Sequence, residues 1–157
     1  MTPGETAVLE AILDRLIPAD GNGPGAVEAG VATFVERTLD AETAEVRATY
    51  ASNLAALDAW AREAHATGFA ALSAATRDEM LRLLEQGSVG GFSPSPEVFF
   101  ELVRTQGIQG MFADPRHGGN AGHAGWDLIG FPGAKGTFTA DDQQLDVDVP
   151  KVRPDAG

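Results

Sequence analysis

The 157-residue sequence has no cysteine, which excludes disulfides, thiolate metal sites and iron–sulfur ligation within the chain. Cations are scarce: eleven lysines and arginines stand against 23 acidic residues, a net charge of −12. So few positive charges, spread over the whole length, cannot assemble a phosphate-neutralising stripe, and neither nucleic acid nor an anionic membrane is expected as a partner. Long apolar runs are also missing, so no direct membrane insertion is expected. Residues 1–7 lack the basic and apolar regions of a secretory signal. As written, the chain is expected to remain in the cytoplasm; a periplasmic location requires a trimmed signal or one carried by a partner.

What is present is globular. With 43% hydrophobic and 22% charged residues, the composition is that of a folded soluble domain long enough to bury a single core. Thr2-Pro3-Gly4-Glu5 places a proline just inside a helix start, and Val8, Leu9, Ile12, Leu13, Leu16 and Ile17 follow at helical spacing up to Pro18. After the turn Asp20–Gly25, a second helix is expected over Ala26–Leu39, with Val27, Val31, Phe34, Val35 and Leu39 on one face. From Ala41 to about Ala66 there is neither proline nor glycine, which predicts the longest helix and the backbone of the core, closed by Gly68. Ser73 or Thr76 caps a fourth helix that Gly87–Gly91 ends, and Ser95-Pro96-Glu97 opens a fifth carrying Val98, Phe99, Phe100, Leu102 and Val103. The expected fold is all-α: a compact bundle of about five helices over residues 1–133, with a long ordered glycine-rich loop across one end. An acidic tail, residues 134–157, follows as an extended arm or a disordered one. Its apolar residues are scattered, among them Phe138, Leu145, Val147 and Val149, and the alternation of the last three suits an edge strand or a strip laid on a partner.

The loop is where function is to be sought. Seven of the nineteen glycines lie between Gly110 and Gly133, and because glycine is costly to order, large apolar residues among them mark a fixed loop. Asp114-Pro115 ends the preceding helix, Gly118-Gly119-Asn120 admits left-handed backbone with an Asx-type bond, and Phe131-Pro132-Gly133 makes a second turn. His117, His123, Asp114 and Asp127 are a metal-capable set of side chains, but they lack the helical two-histidine spacing and read more readily as turn-formers and solvent contacts. His65 on the long helix reads as a surface or core-edge residue. None of the serines sits in a Gly-x-Ser-x-Gly elbow, and neither glycine cluster follows a strand or precedes a lysine as a dinucleotide or phosphate loop would. No catalytic, cofactor-binding or metal-binding residue is therefore assigned. Trp126 and Phe131 suit a core anchor and an interface anchor equally well.

Several spaced elements resemble a known family. Met111-Phe112-Ala113-Asp114-Pro115, Gly118-Gly119-Asn120, Gly125-Trp126 and Ile129-Gly130-Phe131-Pro132-Gly133, with a weaker match at Leu16–Asp20 and Gly30-Val31, are similar to the gluconate 2-dehydrogenase subunit 3 family. His117 stands where that family usually carries a tyrosine-like aromatic. The resemblance implies a non-catalytic small subunit that stabilises, or helps to mature, a flavin-dependent dehydrogenase of the glucose–methanol–choline type acting on a sugar, sugar acid, glycoside or polyol. FAD would lie in the large flavoprotein subunit, and a cytochrome c or other electron-transfer subunit can complete the complex. Family members often carry a twin-arginine export signal, which this sequence does not show. On this reading the partner interface comprises Asp114, His117, Gly118, Gly119, Asn120, Trp126, Ile129, Phe131 and Pro132. The alternative from a different class is an independent small enzyme or metal-binding protein using the His117/His123 loop.

Overall fold

The computed structural model describes residues 1–134, 136–137, 139–144 and 150–153. These contain six α-helices and no strand: α1 Pro3–Leu16, α2 Val31–Asp40, α3 Ala44–His65, α4 Ala74–Glu85, α5 Pro96–Phe112 and the short α6 Ala124–Leu128. The all-α expectation holds, with α6 as an extra helix inside the glycine-rich loop. No helix among the described residues is long and apolar enough to cross a membrane. Phe138, Leu145, Val147 and Val149 lie outside the described residues.

The helix starts are local chemistry. Thr2 and Glu5 form a reciprocal capping box ahead of Pro3, which satisfies two otherwise orphaned backbone donors. Thr43, Ser73 and Ser95 cap α3, α4 and α5 by accepting from the backbone N–H of Val46, Thr76 and Val98. Gly87, with φ +68°, ends α4, and Ser88 donates its backbone N–H to Leu83, the bonding of a Schellman end.

Three boundaries differ from the sequence reading. α2 begins at Val31, not Ala26, because Gly30 is left-handed at φ +67° and separates a preceding turn from the helix. Ala66, not Gly68, takes the left-handed position closing α3, at φ +58°. Gly68 is needed for contact instead, since a Cβ there would lie 2.6 Å from the Asp58 carboxylate that accepts the Phe69 N–H. α3 begins at Ala44 behind its Thr43 cap, not at Ala41. Gly107 and Gly110 belong to α5, which ends at Phe112, just ahead of Asp114-Pro115 as the sequence indicates. Each glycine inside a helix costs about 1 kcal/mol against alanine. Here the cost is offset by close approach: a Cβ on Gly110 would lie 2.8 Å from the Val31 side chain, and one on Gly107 would lie 3.2 Å from Leu13.

The core is a single cluster in which Leu9, Leu13, Leu54, Leu57, Phe69 and Val35 are fully buried. α3 is the longest helix, as its uninterrupted sequence predicts, but the hub of the bundle is α1. α1 packs against each of α2, α3, α4 and α5 as well as the 3-10 turn Phe69–Ala71, and it buries Val8, Leu9, Ala11, Ile12 and Leu13 to do so. α3 is amphipathic instead: its Val46 is exposed while Tyr50, Leu54, Leu57 and Ala61 face inward. Buried Asn53 exchanges two hydrogen bonds with the Ser93 backbone, at 2.8 and 2.9 Å, and so ties α3 to the segment that leads into α5.

Candidate functional site

The glycine-rich loop is a clasp around the C-terminal end of α5. A helix leaves its last carbonyls without intrahelical partners, and here two loop side chains satisfy them. Trp126 Nε1 donates to the Phe112 carbonyl at 2.8 Å, and Asn120 Nδ2 donates to the Ala113 carbonyl at 2.8 Å. The Asn120 carbonyl oxygen turns the other way and accepts from Gly125 N at 2.8 Å, with a longer contact from Trp126 N at 3.4 Å. Asn120 is fully buried and left-handed at φ +51°, a conformation asparagine tolerates better than most residues. One amide thus caps α5 and starts α6.

Two glycines let the clasp close. A Cβ on Gly119 would overlap the Gly110 carbonyl, and one on Gly125 would overlap the Met111 carbonyl. Both obstacles are backbone of α5 and cannot swing aside. The left-handed glycine of the pair is Gly118, at φ +104°, not Gly119; Gly119 is required by contact, which alters the reason the sequence suggested for it.

The loop also reaches the other glycine-rich turn. Ala121 N donates to the Ala29 carbonyl at 3.0 Å, the Gly118 carbonyl lies 3.3 Å from where a Gly30 Cβ would be, and the Leu128 side chain closes on Gly23. Arg37 of α2 donates to the Arg116 carbonyl at 3.0 Å. The two stretches that carry the family resemblance, far apart in sequence, are therefore one structural unit built on the α2–α5 contact.

The nine interface candidates divide by position. Trp126 is only 7% exposed, held between His123, stacked at 5.3 Å, and Phe131, edge-on at 5.0 Å. Gly119, Asn120 and Trp126 hold the loop together in the free chain. Asp114 is half-buried and accepts from Arg116 N at 3.1 Å, an Asx turn that starts the 3-10 turn Pro115–His117; Gly118 and Pro132 are half-buried as well. On the surface stand His117, Ile129 at 60% exposed and Phe131 at 37%. His117 accepts a 3.3 Å hydrogen bond from Arg116, whereas His123 is left-handed and stacked on Trp126. Among the described residues, no three of His, Asp and Glu stand together as metal ligands would.

Residues 151–153 return to the loop, which sequence reading did not anticipate. Val152 N donates to the Pro132 carbonyl at 2.7 Å, and Arg153, its side chain almost wholly covered, donates to the Phe131 carbonyl with its guanidinium 6.0 Å from the centre of the Trp126 ring. Lys151 and Arg153 both reach Asp127, at 2.7 and 2.6 Å. Hydrogen bonds first from Lys151 and then from Arg153 hold the Asp127 carboxyl down to about 2. A carboxyl depressed in the fold contributes stability above its ordinary value near 3.8 and loses it as pH falls through about 2. The strap is thus expected to loosen between about pH 4 and 2, and because Asp127 and Lys151 are exposed, to loosen sooner in high salt. Following the Asp127 side-chain carboxyl by NMR across that range checks this; a midpoint near 3.8, unchanged in an Arg153→Ala variant, would show that the strap does not form.

No curated protein and no solved structure matches the chain. A family model, gluconate 2-dehydrogenase subunit 3, matches residues 3–133, which spans all six helices and both glycine-rich segments joined in the clasp. With that match covering most of its length, the chain belongs to the gluconate 2-dehydrogenase subunit 3 family.

Proposed function

We propose that this chain is the non-catalytic small subunit of a flavin-dependent dehydrogenase of the glucose–methanol–choline type, which oxidises a sugar, sugar acid, glycoside or polyol. The observation that carries this reading is the family match over residues 3–133, since the family is named as one subunit of a dehydrogenase. The flavin, FAD, and the catalytic groups belong to the large subunit, and a cytochrome c or another electron carrier takes the electrons onward. This chain's task is to stabilise or help mature the large subunit. The surface members of the loop support a docking role: Ile129 and Phe131 are exposed large apolar residues on a segment braced by buried hydrogen bonds, and apolar side chains displayed on a rigid frame bind with little ordering cost.

Co-expression with the large flavoprotein subunit from the same source is the test. The expected result is a stoichiometric complex that carries the flavin absorbance, with little soluble, flavin-loaded large subunit when the small one is omitted. A large subunit that is equally soluble, loaded and active alone, and that does not bind this chain, would refute the reading.

A further inference from the structure

α5 has an outer face that its own chain leaves uncovered. Its inner side buries Phe99, Phe100, Val103 and Met111. On the opposite side, Val98, Leu102, Thr105, Gln109 and Phe112 recur at the spacing that aligns side chains in one stripe along a helix. Val98 is 50% exposed, Leu102 40% and Phe112 38%, and Ile108 beside them is 44% exposed. A surface helix ordinarily turns a polar face to solvent; one that is apolar on both sides ordinarily has neighbours on both. On α5, Val98, Leu102, Ile108 and Phe112 are large apolar side chains without such a cover, among the polar Thr105 and Gln109.

The stripe continues at both ends. At the N-terminal end it borders a cleft of about 210 Å³ between α3 and α5, lined by Val46, Tyr50, Asn53, Pro94, Val98 and Leu102. The Tyr50 ring meets the buried Phe99 ring edge-on at 5.7 Å there. At the C-terminal end the Phe112 ring lies against Gly125, the Phe112 carbonyl accepts from Trp126, and Trp126 packs against the exposed Phe131. A band rich in apolar side chains thus runs from Val46 along α5 to the surface of the clasp, interrupted at Thr105 and Gln109.

Resting on the accessory-subunit reading, we infer that this band, with the outer face of α5 at its centre, is where the large flavoprotein subunit docks. Charge argues against a second copy of this chain as the occupant. Along α5 and the cleft, Glu45, Glu97 and Glu101 border the band, and Arg104 is already paired with Glu101 at 2.8 Å. Two copies packed face to face would bring these acids together on chains that each carry −12, whereas a larger chain with a basic rim around an apolar strip would match them. Area sets the extent of the footprint. A 17-residue helix is about 25 Å long, and a strip of it one helix wide offers roughly 250 Å², against about 800 Å² a side for a stable interface. The partner must cover α5, the cleft at Val46 and the clasp at Phe131 together, which calls for a broad surface and not a single helix.

Leu102→Glu and Val98→Ser test this, with the co-expressed flavoprotein large subunit as the binding partner and the free chain as the stability control. Both positions are exposed in the free chain, so the melting temperature of each variant is expected within about 2 °C of the parent, as for other surface substitutions. Affinity for the large subunit is expected to fall about thirtyfold or more with Leu102→Glu, as for an interface hot spot, and by a smaller factor with Val98→Ser. If the parent binds and both variants bind equally well, the docking surface is elsewhere while the accessory-subunit reading stands. If the parent does not bind the large subunit at all, that reading fails and takes this surface with it. If sedimentation shows the parent to be a homodimer that Leu102→Glu converts to a monomer, the occupant is a second copy and the proposal is overturned.

Discussion

Trp126→Ala is expected to lower the stability of the isolated chain by about 3–5 kcal/mol, the range for removing a large buried aromatic side chain. Three losses coincide. The ring leaves its packing between His123 and Phe131, the Phe112 carbonyl loses its donor, and the Arg153 guanidinium loses the aromatic face it lies over. Trp126→Phe separates these effects. It keeps most of the apolar volume but removes the N–H, so its cost is expected nearer about 1–3 kcal/mol, that of an unsatisfied acceptor. Chemical unfolding of the free chain measures both. A Trp126→Ala chain that unfolds like the parent, yet binds the large subunit far more weakly, would mean that Trp126 serves the interface and not the clasp.

Gly119→Ala is the second large effect, expected to match or exceed Trp126→Ala. The added methyl would overlap the Gly110 carbonyl, with the Gly110 carbonyl carbon only 2.8 Å away, and helix backbone cannot rotate clear as a side chain can. The loop must lift off α5, which breaks the bonds from Asn120 to Ala113 and from Trp126 to Phe112 and exposes Trp126. Gly122→Ala is the control. Gly122 is left-handed at φ +62°, but nothing lies within 4 Å of where its methyl would sit, so only conformational strain is added, about 1 kcal/mol. If Gly119→Ala costs no more than Gly122→Ala, close approach to the Gly110 carbonyl is not what holds the loop on α5.

These two cases show how far the loop was legible beforehand. Its glycine content and its aromatic anchors marked it as fixed and important, and Asn120 was recognisable as a turn residue. The partner of each residue was not. Gly119 looked like a residue for positive φ because a Gly-Gly-Asn turn commonly needs one, yet φ is positive at Gly118 and Asn120, and Gly119 is set by its distance to a helix that precedes it in the chain. Arg153 gave no signal, since one arginine in an acidic tail has no periodicity to place it. The face of α5 was half legible: Val98 and Leu102 were recognised as helical apolar residues, but apolar residues at both inward and outward phases were themselves a sign of two covers.

The sequence by itself determined what is local. Capping side chains, prolines at helix starts and uninterrupted helical spacing are decided within a turn or two of chain, so the all-α class and the starts of α1, α4 and α5 could be read directly, and so could the family to which the chain belongs. Tertiary structure alone decided what depends on two distant segments meeting. It made α1 the hub in place of the longer α3, turned Trp126 inward, and joined the Ala29–Gly30 turn to the loop at Ala121. The physical reason is that burial and close approach are properties of pairs of surfaces. A residue's chemistry shows that it can be buried or approached, but only the packed chain shows which neighbour does so, and which apolar residues, here Val98, Leu102, Ile108 and Phe112 of α5, stay exposed.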